Sequence, residues 1–345
     1  MTGKRRRGLS YKEAGVDIGA GDRAVELISA HAKTTFRPEV IGDLGGFAGA
    51  FSAQFKTLDD PVLISAADGV GTKLVIAQQL DRHDTVGIDL VAMIVDDIAC
   101  AGAEPLFLLD YIACGRLVPE RIERIVAGIA EGCRQAGCAL LGGETAEHPG
   151  TMDADAYDLA AFGVGVAERG RMWGTSHVKK GDLVIGLAST GLHSNGYSLV
   201  RAIILNHDLD LATVPKGWTR SIGDELLEPT RIYARALLSL ETEVHAAAHI
   251  TGGGIEGNVV RVLPRTMRAV LRRDSWPEPP IFEFLRSAGE LAEGEMSRTF
   301  NLGLGMTLIV APEDSAATIE QLGNHGCPAF EIGEIVMGNK GVVIE

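Results

Sequence analysis

The chain has 345 residues, 46% of them apolar, and a formal charge of −14 at pH 7. The length suits about two domains. The acidic balance excludes a general binder of nucleic acid or anionic membrane, which would carry a basic footprint, and no apolar run approaches the roughly 18 residues that span a bilayer.

In chain order, the first feature is a basic run, Lys4-Arg5-Arg6-Arg7, beside Gly3 and Gly8. It reads as a frayed arm, and with no apolar stretch behind it, not as a secretion signal. A short helical pattern at 20–33 and the glycine-rich IGDLGGFAGAF (41–51) complete an irregular first 60 residues. A strand at 61–66 then runs into AADGVGTKLVIA. This is not a P-loop: Thr72 and Lys73 stand in reverse order, and Ala66 occupies the position where the motif needs its first glycine. Its parts still suit a phosphate cradle, with a strand, a glycine turn, a hydroxyl, a lysine and a helix start (72–80).

The helix expected at 86–101, within VGIDLVAMIVDDIACAG, is apolar nearly all round and therefore buried. Asp89, Asp96 and Asp97 share one stripe of it, because 89 to 96 and 89 to 97 return to within about 20° and 80°. Buried carboxylates need a cation. Either a neighbouring Arg or Lys supplies it, or Mg²⁺ does, a hard ion that takes carboxylate and phosphate oxygens. A strand at 106–113 and a helix at 119–136 follow. A strand at 138–142 then enters LGGETAEHPG, where Gly142-Gly143 would let backbone approach a ligand and Glu144 lies at a strand end. Asp153, Asp155 and Asp158 read as a solvated loop beside a strand at 157–167.

The texture turns charged and turn-rich in ERGRMWGTSHVKKGD (168–182), which divides the chain into 1–170 and 171–345. A strand at 183–188 leads into STGLHSNGYSLV. There Ser194 or Asn195 can N-cap a helix at 195–205, free amides suit an anion, and His193 stands at the loop tip. A helix at 231–243 and a strand at 246–251 lead into AHITGGGIEGN, whose three glycines suggest close backbone approach to a ligand. A helix at 255–262, a strand at 267–272, helices within 281–297, a strand at 304–310, a helix at 313–324 and strands at 330–336 and 341–344 complete the chain. Paired helices and paired strands indicate an α+β class. The five cysteines form no C-x-x-C pair and read as buried thiols in a reducing cytosol. Residue types alone point to phosphoryl transfer, with lysine and amides for phosphate and carboxylates for Mg²⁺.

DGVGTK (68–73), VAMIVDDI (91–98), GAEPLFLLDY (102–111), GGETAEHPG (142–150), GLHSNGYSLVR (191–201), HITGGG (249–254) and RTFNLGLGM (298–306) occur in this order. Over essentially its whole length the sequence resembles the aminoimidazole ribonucleotide synthetase (phosphoribosylformylglycinamidine cyclo-ligase) family. The resemblance implies a cytoplasmic purine-biosynthetic ligase that uses ATP and Mg²⁺ on formylglycinamidine ribonucleotide. It works through a phosphorylated formyl oxygen, an iminophosphate. It also implies a homodimer whose N-terminal mixed sheets pair in a barrel-like interface, with a helix-covered mixed sheet in the C-terminal domain closing the substrate cleft. No nucleic-acid or membrane partner is implied.

By the same resemblance, Asp68, Gly69, Val70, Gly71, Thr72 and Lys73 match the ATP-phosphate segment. Asp68, Asp97 and Glu144 match metal-side acids, and Lys73, Asp97 and His193 match catalytic positions. Ser194, Asn195, Thr251, Gly252, Gly253, Gly254, Arg298 and Asn301 match the substrate cleft, and Gly45 and Gly46 match a mobile cover. The chain departs from the family at Asp96, often Asn; at His148, often Met; and at Gly257 and Val260, where Glu and Pro are usual. The same fold is implied for thiamine-phosphate kinase, selenophosphate synthetase and formylglycinamidine synthetase.

Overall fold

The computed structural model describes residues 10–345, so the basic run at 4–7 lies outside the described residues. Helix α1 (Ile18–Lys33) starts where the Asp17 carboxylate accepts the Ala20 N–H. Two short bridging strands, β1 (Val40–Ile41) and β2 (Ala50–Phe51), interrupt the segment expected to be irregular. Then come β3 (Pro61–Gly69), α2 (Lys73–Gln79), α3 (Val86–Ala99), β4 (Glu104–Cys114), α4 (Pro119–Ala136), β5 (Ala139–Glu147) and β6 (Tyr157–Glu168). Helix α4 has the ends its sequence requires: Pro119 in the first turn, where no N–H partner is needed, and Gly137 beyond the last turn at φ +76°.

The four strands β3 to β6 form one mixed sheet in the order β3-β6-β4-β5, with only β4 and β5 parallel. Helix α3 covers one face and α4 packs on α3. The two helices cross so closely that a Cβ on Gly87 would sit 2.3 Å from the Ile129 amide nitrogen. The other face is bare. Leu63, Leu109, Tyr111 and Phe162 project from three adjacent strands and are 64%, 36%, 43% and 43% exposed.

After Arg169–Asp182 the chain builds a second sheet. Its elements are β7 (Leu183–Ala188), α5 (Tyr197–Asn206), α6 (Ile222–Leu226), α7 (Ala234–Leu238), β8 (Val244–His249), α8 (Gly254–Val259), β9 (Met267–Leu271), α9 (Pro280–Ala288), α10 (Glu293–Thr299), β10 (Leu304–Val310), α11 (Ser315–Asn324), β11 (Ala329–Met337) and β12 (Gly341–Ile344). The strand order is β12-β9-β11-β7-β10-β8, antiparallel except for β12 with β9. Strands β8 and β10 are buried along their whole length. The class is α+β with two mixed sheets.

The expected helix at 231–243 shrinks to five residues, and α6 precedes it unannounced. Carboxylates from the other half of the chain fix where α7 starts. Asp89 accepts the Thr230 N–H, and Asp96 accepts those of Tyr233 and Ala234, so these amides are satisfied without an earlier helical turn. Helix α6 forms around a Ser221–Asp224 capping box. The span 281–297 breaks at Gly289 and Glu290, the latter at φ +49°.

Candidate active site

A cavity of ≈ 600 Å³ lies where the two halves meet. Asp68, Gly69, Val70 and Gly71 line it from the end of β3, Ser194 and Asn195 from the loop before α5, and Thr251 and Gly252 from the loop after β8. The turn at Gly71 needs glycine, with φ +74° and open space where a side chain would stand. The structure therefore joins three sequence-distant glycine turns in one place. It adds Met93, Leu159 and Ala160, which the sequence pattern did not single out, and Asp158, which was expected to be a solvated acid. Asp158 is not a loop residue but the second residue of β6, set beside the DGVG turn by pairing with β3. Asp153 and Asp155 lie elsewhere, on a ≈ 450 Å³ cavity with Arg121 and His83.

Lys73, expected at the phosphates, does not line this cavity. It is fully buried, and its ammonium donates to Asp89 Oδ1 at 2.9 Å, to the His193 carbonyl at 3.2 Å and to the Glu228 carbonyl at 2.7 Å. An ammonium has three donors, so none remains for a ligand. Burial draws the Lys73 pKa below its ordinary value, against the upward pull of Asp89. The cation opposite Asp89 is thus a lysine, the plainer of the two expected partners.

Asp96 is also buried, with Oδ1 on the Tyr233 and Ala234 amides and Oδ2 without a partner. Burial raises its pKa to about 7. Asp97, the next residue, is partly exposed and bonds His249 Nδ1 at 3.0 Å. His249 was not singled out in the sequence, although it opens HITGGG. Burial lowers its pKa, but the Asp97 hydrogen bond and the charges of Asp96, Asp97 and Asp68 outweigh that and leave it raised.

His193 is buried rather than exposed at a loop tip, with φ +62°. Its Nε2 lies 3.1 Å from the Thr190 N–H, which assigns the neutral ring its proton on Nδ1. That Nδ1 is enclosed and has no partner. Burial, then the charges of His249, Lys73 and Arg231, hold the His193 pKa well below its ordinary value. Helix α5 begins after Gly196 with no side-chain cap, so neither Ser194 nor Asn195 performs the expected capping.

The other expected cleft residues divide. Asn301 is buried and binds Gly191 O and Gly303 N, fastening the loop behind the cavity rather than facing it. Arg298 is exposed on α10. Of the three glycines, only Gly252 lines the cavity. Gly253 and Gly254 have φ +98° and +64°, and a Cβ on Gly254 would lie 1.8 Å from the Ser297 carbonyl. Thr72 Oγ1 meets Ser198 Oγ at 3.1 Å.

Glu144 is not brought to Asp68 within one chain. Register runs Asp68–Ala161–Asp110–Gly143, three strand spacings or about 14 Å. Among the described residues no three His, Cys, Asp or Glu side chains gather as a metal-ligating group. Mg²⁺ usually takes only one or two carboxylates and completes its shell with water and phosphate oxygens. Asp68 and Asp158, both exposed on the cavity, fit that requirement.

Family models describe both halves of the chain. The AIR synthase related protein N-terminal domain matches residues 51–167, and the C-terminal domain of the same description matches 179–345. The chain belongs to the AIR synthase related family. It is 54% identical over 336 residues to the phosphoribosylformylglycinamidine cyclo-ligase of Anaeromyxobacter sp. (strain K), covering 96% of this chain and 97% of that protein. It is 53% identical to the protein of that name from Geobacillus kaustophilus (strain HTA426), over 95% and 96% of the two chains. Thiamine-monophosphate kinase from Stenotrophomonas maltophilia K279a shares the AIR synthase related fold with a TM-score of 0.68 at 20% identity, over 94% and 96% of the chains. The hydrogenase maturation protein HypE, solved in complex with ATP, gives 0.62 at 16%, over 94% and 89%. At such identities these two structures speak for the fold alone.

Proposed function

We propose that the chain closes an imidazole ring, converting formylglycinamidine ribonucleotide and ATP to aminoimidazole ribonucleotide, ADP and phosphate in purine biosynthesis. The observation that carries this reading is identity above 50% with cyclo-ligases along almost the whole chain. The cavity supports it, because three glycine turns from both halves of the chain converge on a space of nucleotide size.

In this reading the formyl oxygen attacks the γ-phosphorus of ATP and ADP leaves. The amidine nitrogen then attacks the activated carbon, the C–O bond breaks, phosphate carries the oxygen away, and the nitrogen loses its proton. The DGVG turn faces the nucleotide phosphates, and Asp68 and Asp158 would hold Mg²⁺. When bound, the metal neutralises phosphate charge. Asn195, whose side chain has no partner among the described residues, and Thr251 face the ribonucleotide. His193 is not the base in this reading, since Nε2 already accepts from Thr190 and the ring is buried behind the cavity; it shapes the loop that presents Ser194.

The bare apolar sheet face supports a homodimer that pairs the N-terminal sheets, because an apolar patch of this kind marks an interaction surface. The five cysteines are free thiols, which suits a cytoplasmic location.

The test is aminoimidazole ribonucleotide formation with Mg²⁺ by the native chain and by Asp68→Asn and Asn195→Ala. Product from the native chain and its loss in both variants is the expected outcome. A folded native protein that makes no product ends the reading.

A further inference from the structure

Four segments, two from each half of the chain, meet at one buried pair of charges. Lys73 at the start of α2 and Asp89 in α3 are both fully enclosed, with the ammonium also 2.8 Å from Asp89 Oδ2. From the second half, the Glu228 and His193 carbonyls accept from Lys73. Thr230 gives Asp89 both its N–H, at 2.8 Å, and its hydroxyl, at 2.6 Å. The Thr230 hydroxyl also meets Ser194 Oγ at 3.1 Å, and Thr190 donates to the Pro229 carbonyl at 2.6 Å. The segment 228–230 is therefore a splint. One side is fixed to the first half of the chain, and the other is fixed to the loop carrying His193 and Ser194.

That loop needs a splint. His193 has a left-handed backbone, a strained conformation for a residue with a Cβ that persists only where surroundings hold it. An enclosed ion pair is in general a weak source of stability, since desolvation offsets its attraction, but it holds geometry closely when every donor and acceptor is matched. All three Lys73 donors and Asp89 Oδ1 are matched, Asp89 Oδ2 is held only by its ion pair with the ammonium, and one Lys73 donor ends on the carbonyl of the strained residue itself.

We infer that Lys73, Asp89 and Thr230 form a clamp between the two halves of the chain that positions the His193–Ser194 edge of the active site. They are positioning residues: none lines the cavity. The inference rests on the proposed role of that loop in ring closure.

The experiment compares native enzyme with Thr230→Val, Lys73→Met, the charge-neutral pair Lys73→Met/Asp89→Asn, and His193→Ala. Steady-state kinetics and amide hydrogen exchange of residues 189–196 are measured on each folded variant. A small misplacement of catalytic groups can cost about 100-fold. The clamp variants should therefore lose kcat on that scale, keep the native KM for ATP, and exchange faster in 189–196 while α4 stays protected. Thr230→Val removes one hydroxyl and keeps the result decisive if the lysine variants do not fold. A raised KM for ATP at native kcat in Lys73→Met would return Lys73 to phosphate binding and overturn the clamp. Native kcat and native exchange in Thr230→Val, with His193→Ala impaired, would overturn the clamp alone. Native kcat in His193→Ala would overturn the loop's role and the clamp with it.

Discussion

His249 Nδ1 lies 3.0 Å from Asp97 Oδ1, a bond that joins the last residue of β8 to the acidic stripe of α3. Three residues beyond His249 the chain lines the cavity at Gly252. The bond thus fixes where the TGG turn stands relative to the DGVG turn. His249→Ala should lower kcat/KM for ring closure by about 100-fold, the scale of a small misplacement. Asp97→Asn keeps an oxygen acceptor for Nδ1–H and should lose much less than Asp97→Ala. Steady-state rates of the three variants check this. Equal damage from Asn and Ala at position 97 would mean that the charge matters, not the bond.

Gly143 owes its identity to a neighbour in the sheet, not to a ligand. A Cβ there would fall 1.8 Å from Asp110 Oδ1 and 2.7 Å from the Asp110 carbonyl oxygen. The side chain of Asp110 could turn aside, but the backbone of β4 cannot. Gly143→Ala should cost about 1–3 kcal/mol, as overpacking does. Gly142→Ala, with only the Leu109 side chain at 3.6 Å, should cost much less. Urea unfolding of both variants checks the difference, and equal midpoints would refute the packing account.

Local rules made much of this fold legible. Helix α4 begins and ends where Pro119 and Gly137 place it, and strands β7, β10 and β12 have the bounds expected from their largely apolar runs. The DGVG, HSNG and TGG turns were legible as three similar junctions, but their meeting in one cavity was not. What local pattern could not show was the partner of each charge. Lys73 in a glycine-rich turn has the look of a phosphate ligand, yet Asp89, sixteen residues on, claims it. Asp97 is held by His249, 152 residues away, and Asn301 by Gly191, 110 residues away. The start of the helix expected at 231–243 moved for the same reason, because Asp96 binds the Tyr233 and Ala234 amides.

Asp110 offers a test by pH. It is half-buried on β4 beside Gly143, and burial raises its pKa to about 7, with only its own backbone N–H drawing it down. A carboxyl whose folded pKa is raised binds its proton more tightly in the folded state. Its contribution to stability is complete below the ordinary carboxylate pKa of 3.8 and is lost as pH rises to about 7. Asp110→Asn removes that loss. The variant should gain stability relative to the native chain as pH rises from 4 to about 7, then keep a constant difference. Chemical denaturation across that range checks it, and a difference that stays flat with pH would show that Asp110 titrates normally.

The bare face of the first sheet carries the last prediction. Leu63 on β3, Phe162 on β6, and Leu109 and Tyr111 on β4 point away from α3, while their alternate neighbours Leu108, Ile112 and Ala161 are buried beneath it. A sheet with helices on one face and apolar side chains on both needs a second layer. If two copies supply it to each other, one charge at the centre of the patch opposes its own image across the two-fold axis. Phe162→Asp should then convert a dimer to a monomer with unchanged far-ultraviolet circular dichroism. Lys56→Ala, on an exposed turn away from the patch, should leave the dimer intact. Sedimentation velocity separates the outcomes. A native chain that sediments as a monomer, or a Phe162→Asp dimer as stable as the native one, would assign that face to something other than a second copy.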